Sequence, residues 1–336
     1  MITDIDVAKQ VVTRALEHYG VAGDAALTFV KYRENYVFRI DVAAGTYALR
    51  LHRRGYRSDA EILEELELIT ALAAAGVAVP KVWLTTDGQP FCRVPDDDGD
   101  THQVDMLEWV PGAGPLGDIG QAFLGEAAVD TGTFRELGSL IASFHATVAQ
   151  LRRDRPPVRP AWDAEGLVGE APVWGDPRRA FDAGTSDLRT VDRAISLLRA
   201  ELEAYGRTPD RYGPIHADFT PENVLIDGSG RMTVIDFDDS GDGYYLFDLA
   251  TAAFFYLPHS RFDDVVDALL AGYQSVRTLS LDDLAVWRPM LLARGLTYLG
   301  WAADRRGDET SDFIFEHLRP LVVQLAAEYI ASAVSS

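Results

Sequence analysis

Residues 215–227 read IHADFTPENVLID, and residues 232–250 read MTVIDFDDSGDGYYLFDLA. The first stretch gathers His216, Asp218 and Asn223 into one polar break between two apolar runs. The second ends an apolar run in Asp236, Asp238 and Asp239. Between them, VLI and MTVI flank DGSG, and two short apolar runs around such a turn predict a hairpin. Its two ends would carry Asn223 and Asp236. An amide oxygen and a carboxylate so placed suit a cation such as Mg²⁺, which takes a few protein oxygens together with phosphates and water. A further carboxylate, Asp218, would accept or orient the proton of an attacking hydroxyl. Phosphoryl transfer from ATP needs this set of groups.

Bulk properties bound the rest. The chain has 336 residues, ample for two domains, with 47% hydrophobic and 25% charged residues. Its 31 basic and 52 acidic residues give a net charge of −21, which argues against a duplex nucleic-acid partner. An acidic field could draw in a cationic substrate or merely keep the surface soluble. The single cysteine, Cys92, permits no internal disulfide and suits a reducing compartment. The N-terminal MITDIDVAKQ is no signal peptide, and the apolar stretches are broken by Gly, Pro or charge, so a soluble cytoplasmic protein with no membrane partner is expected.

Outward from the hairpin, the chain shows two styles of pattern. From about Ala26 to Leu51 apolar and polar residues alternate, with a turn at Ala44–Gly45, predicting strand-turn-strand. SDAEILEELELITALAAAG predicts a helix capped by Ser58 or Asp59 and ended by Gly76. PKVWLTT, PFCRV and HQVDMLEWV read as strands. After PGAGPLG the pattern turns helical, for example in FRELGSLIASFHATVAQL, LRTVDRAISLLRAELEAY, FDDVVDALLAGYQSV and LDDLAVWRPMLLARGLTYLGWAA. Residues 152–176, rich in Pro, Gly and Trp, read as a packed irregular loop. The expectation is an α+β chain with a small β-rich lobe over 1–107, a connection at 108–112 and a larger helical lobe over 113–336, with a ligand cleft between the lobes.

HADFTPEN followed by VIDFDD resembles the aminoglycoside phosphotransferase and choline kinase superfamily, whose members have a two-lobed protein-kinase-like fold. Within it the chain looks most similar to the stress-response kinase and homoserine-kinase-like branches, and the likeness spans nearly the whole chain. YRENYVFRI resembles the family's phosphate-covering turn, YALRLHRRGYRS its third strand, MLEWVPG its adenine hinge, and RPAWDAEGLVGEAPVWGDP a loop of those branches. The resemblance implies ATP and Mg²⁺ as cofactors, with Asp218 as the catalytic acid and Asn223 and Asp236 as metal ligands. It implies that His216 braces the loop and that Asp248 supports it from the next helix. It places Glu65 at the helix glutamate, and Arg50 where the family commonly has a Lys; a planar fork is not a point charge, so its geometry toward phosphate would differ. It assigns Arg33, Glu34 and Asn35 to ATP through backbone groups, and Glu108 and Val110 to adenine. Should Arg50 be a surface residue, Lys31 or Arg33 would neutralise the phosphates.

Other residues stay open at this level. Glu61 and Glu64 read as a solvated helix face, His145 as a packing residue, the six tryptophans as core or pocket wall, and PDDDGD at 95–100 as a solvated turn rather than a calcium loop. Asp238 and Asp239 could serve metal, structure or substrate. Acids in the predicted wall segments (Asp263, Asp264, Asp267, Asp304, Asp308, Glu309 and Asp312) would favour an amine-bearing acceptor, unless they are solvated. The expected function is transfer of the γ-phosphoryl of ATP to a hydroxyl of a small, amine-bearing molecule. The alternatives are a Ser/Thr kinase acting on protein or peptide and a nucleotide-binding pseudokinase.

Overall fold

The computed structural model describes residues 5–21, 25–32, 35–151 and 156–335. Arg33 and Glu34, expected in the phosphate-covering turn, lie outside the described residues. The chain forms two compact units, Met1–Leu116 with Val224–Asp238, and Gly117–Asn223 with Asp239–Ser336.

The first unit is mostly sheet. Helix α1 (Ile5–His18) is followed by strands β1 (Ala26–Tyr32), β2 (Asn35–Val42) and β3 (Gly45–His52), then helix α2 (Asp59–Ala74) and strands β4 (Val82–Trp83), β5 (Phe91–Pro95) and β6 (Thr101–Glu108). The six strands form one antiparallel sheet in the order β1-β2-β3-β6-β4, with β5 also on β6. Where the sequence predicted a single strand-turn-strand, there are three strands, β1 ending at Tyr32 and β2 beginning at Asn35. The turn between β2 and β3 is Ala43–Ala44, since Gly45 already pairs with Val42. Helix α1 was not anticipated, yet its buried residues Ala8, Val11, Val12, Ala15 and Leu16 recur at helical spacing and join Phe38, Ile40, Leu49, Val104 and Met106 in one core. Ser58 caps α2 through a reciprocal pair with Glu61, so Glu61 belongs to a cap rather than a solvated face. Gly76 ends that helix region at φ +86, a left-handed conformation suited to glycine.

Strand β7 (Ala113–Pro115) pairs with β9 (Val224–Asp227), which pairs with β10 (Met232–Val234). The predicted hairpin is therefore present, with Val224 opposite Val234. Residues 113–116 and 224–238 group with the sheet unit, where the Val234 N–H donates to the Ala78 carbonyl at 2.9 Å.

The second unit is helical: α3 (Ile119–Phe123), α4 (Thr131–Val148), α5 (Ala164–Val168), α6 (Ser186–Tyr205), α7 (Tyr245–Phe254), α8 (Phe262–Gln274), α9 (Leu281–Ala303), α10 (Glu309–Phe313) and α11 (Arg319–Ser335). Strands β8 (Tyr212–Ile215) and β11 (Gly241–Tyr244) pair within it. Helices α4 and α8 touch backbone to backbone at two glycines. A Cβ on Gly138 would lie 2.0 Å from the Leu269 carbonyl oxygen, and one on Gly272 would lie 1.9 Å from that of Arg135. No helix among the described residues is long and apolar enough to cross a membrane.

One charged cluster is built into the sheet unit. Arg50 on β3 stands opposite Asp105 on β6 and forks onto it, Nε to Oδ1 at 2.9 Å and Nη2 to Oδ2 at 2.8 Å. Its Nη1 reaches Glu65 Oε1 on α2 at 2.7 Å, and His52 Nε2 meets Asp105 Oδ2 at 2.6 Å. Arg50 is 5% exposed and Glu65 and Asp105 are fully buried, so neither Arg50 nor Glu65 is a surface charge. Burial alone would raise the Asp105 pKa, but Arg50 and His52 outweigh it and hold the carboxyl at about 2.

Two outcomes follow from this packing. Gly272→Ala should destabilise the protein by roughly 1–3 kcal/mol, as overpacking does, read as a lower denaturant midpoint at unchanged slope. Asp105→Ala, which leaves Arg50 with Glu65 alone, should cost about 3–5 kcal/mol. Because the Asp105 pKa is depressed, its contribution is present above the unfolded carboxyl value and fades as pH falls toward about 2. Melting temperatures across that acidic window should fall more steeply in the wild type than in Asp105→Ala; equal slopes would refute the assignment.

Candidate active site

The site is built on the exit from β8. After Ile215 the chain passes His216 and then Ala217, whose φ of 65° is left-handed. For a residue with a Cβ that conformation costs on the order of 1–2 kcal/mol, so something must hold it. Asp248, fully buried in the first turn of α7, does so. Its Oδ2 accepts the His216 N–H at 3.0 Å and its Oδ1 the Ala217 N–H at 2.7 Å. Charge-assisted bonds of this kind are the stronger class. Asp248 is steadied from α4, where His145 Nε2 lies 2.8 Å from Oδ2 and His145 Nδ1 lies 3.0 Å from the Tyr273 hydroxyl. Burial holds the His145 pKa below its ordinary value despite Asp248, which fits a neutral ring that donates at Nε2 and accepts from Tyr273 at Nδ1. His145 is thus a satisfied buried residue, and it braces Asp248.

Downstream of that anchor the loop folds on itself. The Asp218 N–H donates to His216 Nδ1 at 3.2 Å. The Thr220 N–H donates to the Asp218 carbonyl at 2.7 Å, and the Asn223 N–H to the Thr220 carbonyl at 3.0 Å. Asn223 Nδ2 donates to the Asp218 carbonyl at 3.0 Å and to Asp218 Oδ2 at 2.7 Å. That commits the amide nitrogen and leaves Oδ1 as the acceptor end. Asp218 Oδ1 receives Arg294 Nη2 at 2.5 Å. Arg294, Asn223 and His216 are buried, whereas the Asp218 side chain keeps 22% exposure. The arrangement presents the partly exposed Asp218 carboxylate on a mostly buried loop.

Beyond the hairpin, Asp236 has φ 67° and its Oδ2 lies 3.3 Å from Lys31 Nζ on β1. The next acids separate. Asp238 is 4% exposed, with Arg57 Nη2 donating to its carbonyl at 2.7 Å, so it belongs to the interior of the sheet unit. Asp239 belongs to the helical unit, where Trp174 Nε1 donates to its Oδ1 at 3.0 Å and Trp162 Nε1 to its carbonyl at 2.8 Å. Trp174 reaches this position because Gly300 admits the loop backbone against α9, where a Cβ would meet the Gly175 carbonyl oxygen at 2.1 Å.

The acids in the expected wall segments, Asp263, Asp264, Asp267, Asp304, Asp308, Glu309 and Asp312, are exposed. Asp264 pairs with Arg261, Asp304 with Arg179, and Asp308 caps α10. At 95–100, Asp96 accepts the Asp98 and Asp100 amides in a turn, as expected. No group of three or more His, Cys, Asp or Glu among the described residues could hold a metal. In the expected hinge, the Glu108 N–H donates to the Lys81 carbonyl and the Trp109 N–H to the Thr46 carbonyl. Asn35 is 8% exposed with its Oδ1 unpaired.

Sequence reasoning missed Asp105, Arg294 and the tryptophan pair on Asp239. Asp105 had a signal: an acid inside the apolar run of HQVDMLEWV demands a buried partner. Arg294 had a weaker one, a lone cation inside the apolar run PMLLARGLTYL.

The phosphotransferase enzyme family (APH) matches residues 28–290 of the chain. Amicoumacin kinase of Bacillus subtilis (strain 168) is 26% identical over 243 residues, covering 72% of this chain and 66% of that protein. A homoserine kinase of Chelativorans sp. (strain BNC1) is 30% identical over 300 residues, covering 86% of this chain and 83% of its own. Among solved structures, the microcompartment-associated aminopropanol kinase matches with a TM-score of 0.84 at 32% identity over 98% of each chain. Amicoumacin kinase hAmiN, solved in complex with AMP-PNP, Ca²⁺ and Ami, matches with a TM-score of 0.75 at 20% identity over 96% of each chain, a likeness of fold. The braced HADFTPEN loop, the two-lobed α+β architecture and the extent of these matches lead to one conclusion: the chain belongs to the phosphotransferase enzyme family, within the aminoglycoside phosphotransferase and choline kinase superfamily, and is a kinase with a hydroxyl acceptor.

Proposed function

We propose that the chain transfers the γ-phosphoryl of ATP to the hydroxyl of a small, amine-bearing molecule, an amino alcohol or an aminoglycoside-like compound. The observation that carries this reading is the partly exposed carboxylate on the braced loop. Asp218 meets the buried Arg294 through Oδ1 while its side chain keeps 22% exposure, so an anionic group stands where a ligand can reach it. An amine-bearing acceptor would be drawn to that charge. The named kinases of aminopropanol and homoserine among similar proteins are compatible with it.

In this reading Asp218 orients the acceptor hydroxyl and takes its proton late in the transfer. The acceptor oxygen forms a bond to the γ-phosphorus as the bond to the β–γ bridging oxygen breaks, and ADP leaves. Asn223 through Oδ1 and Asp236 through its carboxylate would hold Mg²⁺, an oxygen donor set that suits this ion. Its fit rests on two observations: the Asn223 nitrogen is already committed to Asp218, and Asp236 already faces a cation, Lys31. Bound there, the metal would neutralise charge on the transferring phosphoryl. Lys31, half-exposed on β1, supplies phosphate-facing charge. Arg50 joins Glu65 to Asp105, and any reach to phosphate starts from that locked position. Glu108 and Val110 frame adenine, and Asn35 closes over the phosphates. The buried free Cys92 and the absence of a spanning helix among the described residues support a soluble, cytoplasmic enzyme.

The experiment supplies labelled ATP and Mg²⁺ with aminopropanol, ethanolamine, homoserine, aminoglycosides and Ser/Thr peptides. Label should pass to an amine-bearing alcohol; transfer to peptide alone would replace this acceptor with the peptide reading. Asp218→Asn should lose about 10²–10⁴-fold in turnover while calorimetric affinity for ATP·Mg²⁺ stays close to wild type. Unchanged turnover, or equal loss of binding, would remove Asp218 from its role. Asn223→Ala and Asp236→Ala should each abolish Mg²⁺-dependent turnover with the fold intact; near-wild-type rates at ordinary Mg²⁺ would end the metal assignment.

A further inference from the structure

Arg294 is among the largest fully buried side chains in the protein. It sits on α9, one turn before Tyr298, and touches the catalytic loop at two points. Nη1 donates to the Ala217 carbonyl at 3.1 Å and Nη2 to Asp218 Oδ1 at 2.5 Å. Nη2 also donates to the Tyr298 hydroxyl oxygen at 2.6 Å. The guanidinium lies over the rings of Tyr298 at 4.1 Å, Trp174 at 4.6 Å and Phe247 at 5.4 Å, so its plane is fixed from several sides. With Asn223 Nδ2 on the other carboxylate oxygen, Asp218 is gripped at both.

Stability does not account for this. Placing a charge in the interior is costly, and apolar replacements of buried ion pairs are often neutral or stabilising. The Arg294 Nε–H has no hydrogen-bond partner, a further cost of about 1–3 kcal/mol for a buried donor. Burial opposes the charge on Arg294, and Tyr298, Asp218 and Asp239 together outweigh it. A cation kept at such expense, with its fork aimed at the partly exposed Asp218 carboxylate, is explained by what it does to that carboxylate.

We propose that Arg294 is the positioning residue for Asp218: it fixes the carboxylate rotamer through Oδ1, ties that rotamer to the left-handed turn at Ala217, and so sets the direction in which Asp218 meets the acceptor hydroxyl. This rests on the reading of Asp218 as the acceptor-side acid. Arg294 itself does not touch the acceptor. Its contribution falls on the transfer step, not on nucleotide affinity.

The test uses the whole enzyme with ATP, Mg²⁺ and aminopropanol, ethanolamine or homoserine, and with water as the acceptor of last resort. Arg294→Lys keeps the charge and loses the fork. It should lower kcat by about 10²-fold, the scale of a misplaced reacting group, with KM for ATP within threefold of wild type and a near-wild-type melting temperature. Adding Arg294→Lys to Asp218→Asn should lose less than threefold more, because the two residues act as one unit. A kcat for Arg294→Lys within threefold of wild type, or losses that multiply in full in the double variant, overturns the positioning role and leaves the kinase reading standing. Full turnover by Asp218→Asn overturns the reading of Asp218 as the acceptor-side acid, and this inference with it. Should Arg294→Lys fail to fold, Tyr298→Phe removes only the hydroxyl that Nη2 meets; it should lower kcat roughly tenfold at unchanged KM for ATP, and an unchanged kcat would overturn the proposal.

Discussion

Two consecutive backbone amides on one buried carboxylate hold the HADFTPEN loop in shape. Asp248 takes the N–H groups of His216 and Ala217, and without it the left-handed turn at Ala217 would be an unsupported strain. Everything downstream inherits that turn. It aims the Ala217 carbonyl at Arg294, brings the Asp218 N–H to His216, and lets Asn223 reach back to Asp218. The brace itself is extended by His145 and Tyr273, from helices that meet closely because Gly138 and Gly272 carry no side chain. The site is therefore a consequence of helix packing as much as of the loop's own sequence.

In each unit a buried arginine organises carboxylates. Arg50 binds a strand acid and a helix acid in the sheet unit, and Arg294 binds the loop acid in the helical unit. The chemistry of the guanidinium explains both choices. Its planar fork satisfies two oxygens at once and keeps its charge when buried, which an ammonium does less readily. The environments differ in purpose. Both partners of Arg50 are fully buried, so that cluster locks β3, β6 and α2 together. The partner of Arg294 remains partly exposed and can still meet a ligand. The strongly acidic composition has little to do with either, since the exposed acids of α8 and α10 serve as caps and surface pairs.

Much was legible in the sequence because it was local. The hairpin at 224–234 follows from two apolar runs around DGSG, and α2 follows from Ser58, its helical period and Gly76. The pairing of Arg50 with Glu65 and the bracing by His216 and Asp248 came from resemblance to a family, and in the structure the corresponding contacts exist. Helix α1 was equally local but went unread, although its buried positions repeat at helical spacing. Composition says how many carboxylates there are, not which way they face; the acids of the expected wall segments are exposed, two of them in surface pairs and one in a cap.

The sequence by itself determined the periodic elements, the two styles of the chain and the order of the acids around the hairpin, because backbone hydrogen bonding and side-chain period act over a few residues. Tertiary structure alone decided which charges are buried and with whom. Asp105 meets Arg50 across strand register, Arg294 arrives at Asp218 from 76 residues away, and Trp174 arrives at Asp239 from 65. These partners share no local pattern. They are brought together by packing, and burial then makes each unpaired charge too costly to leave alone.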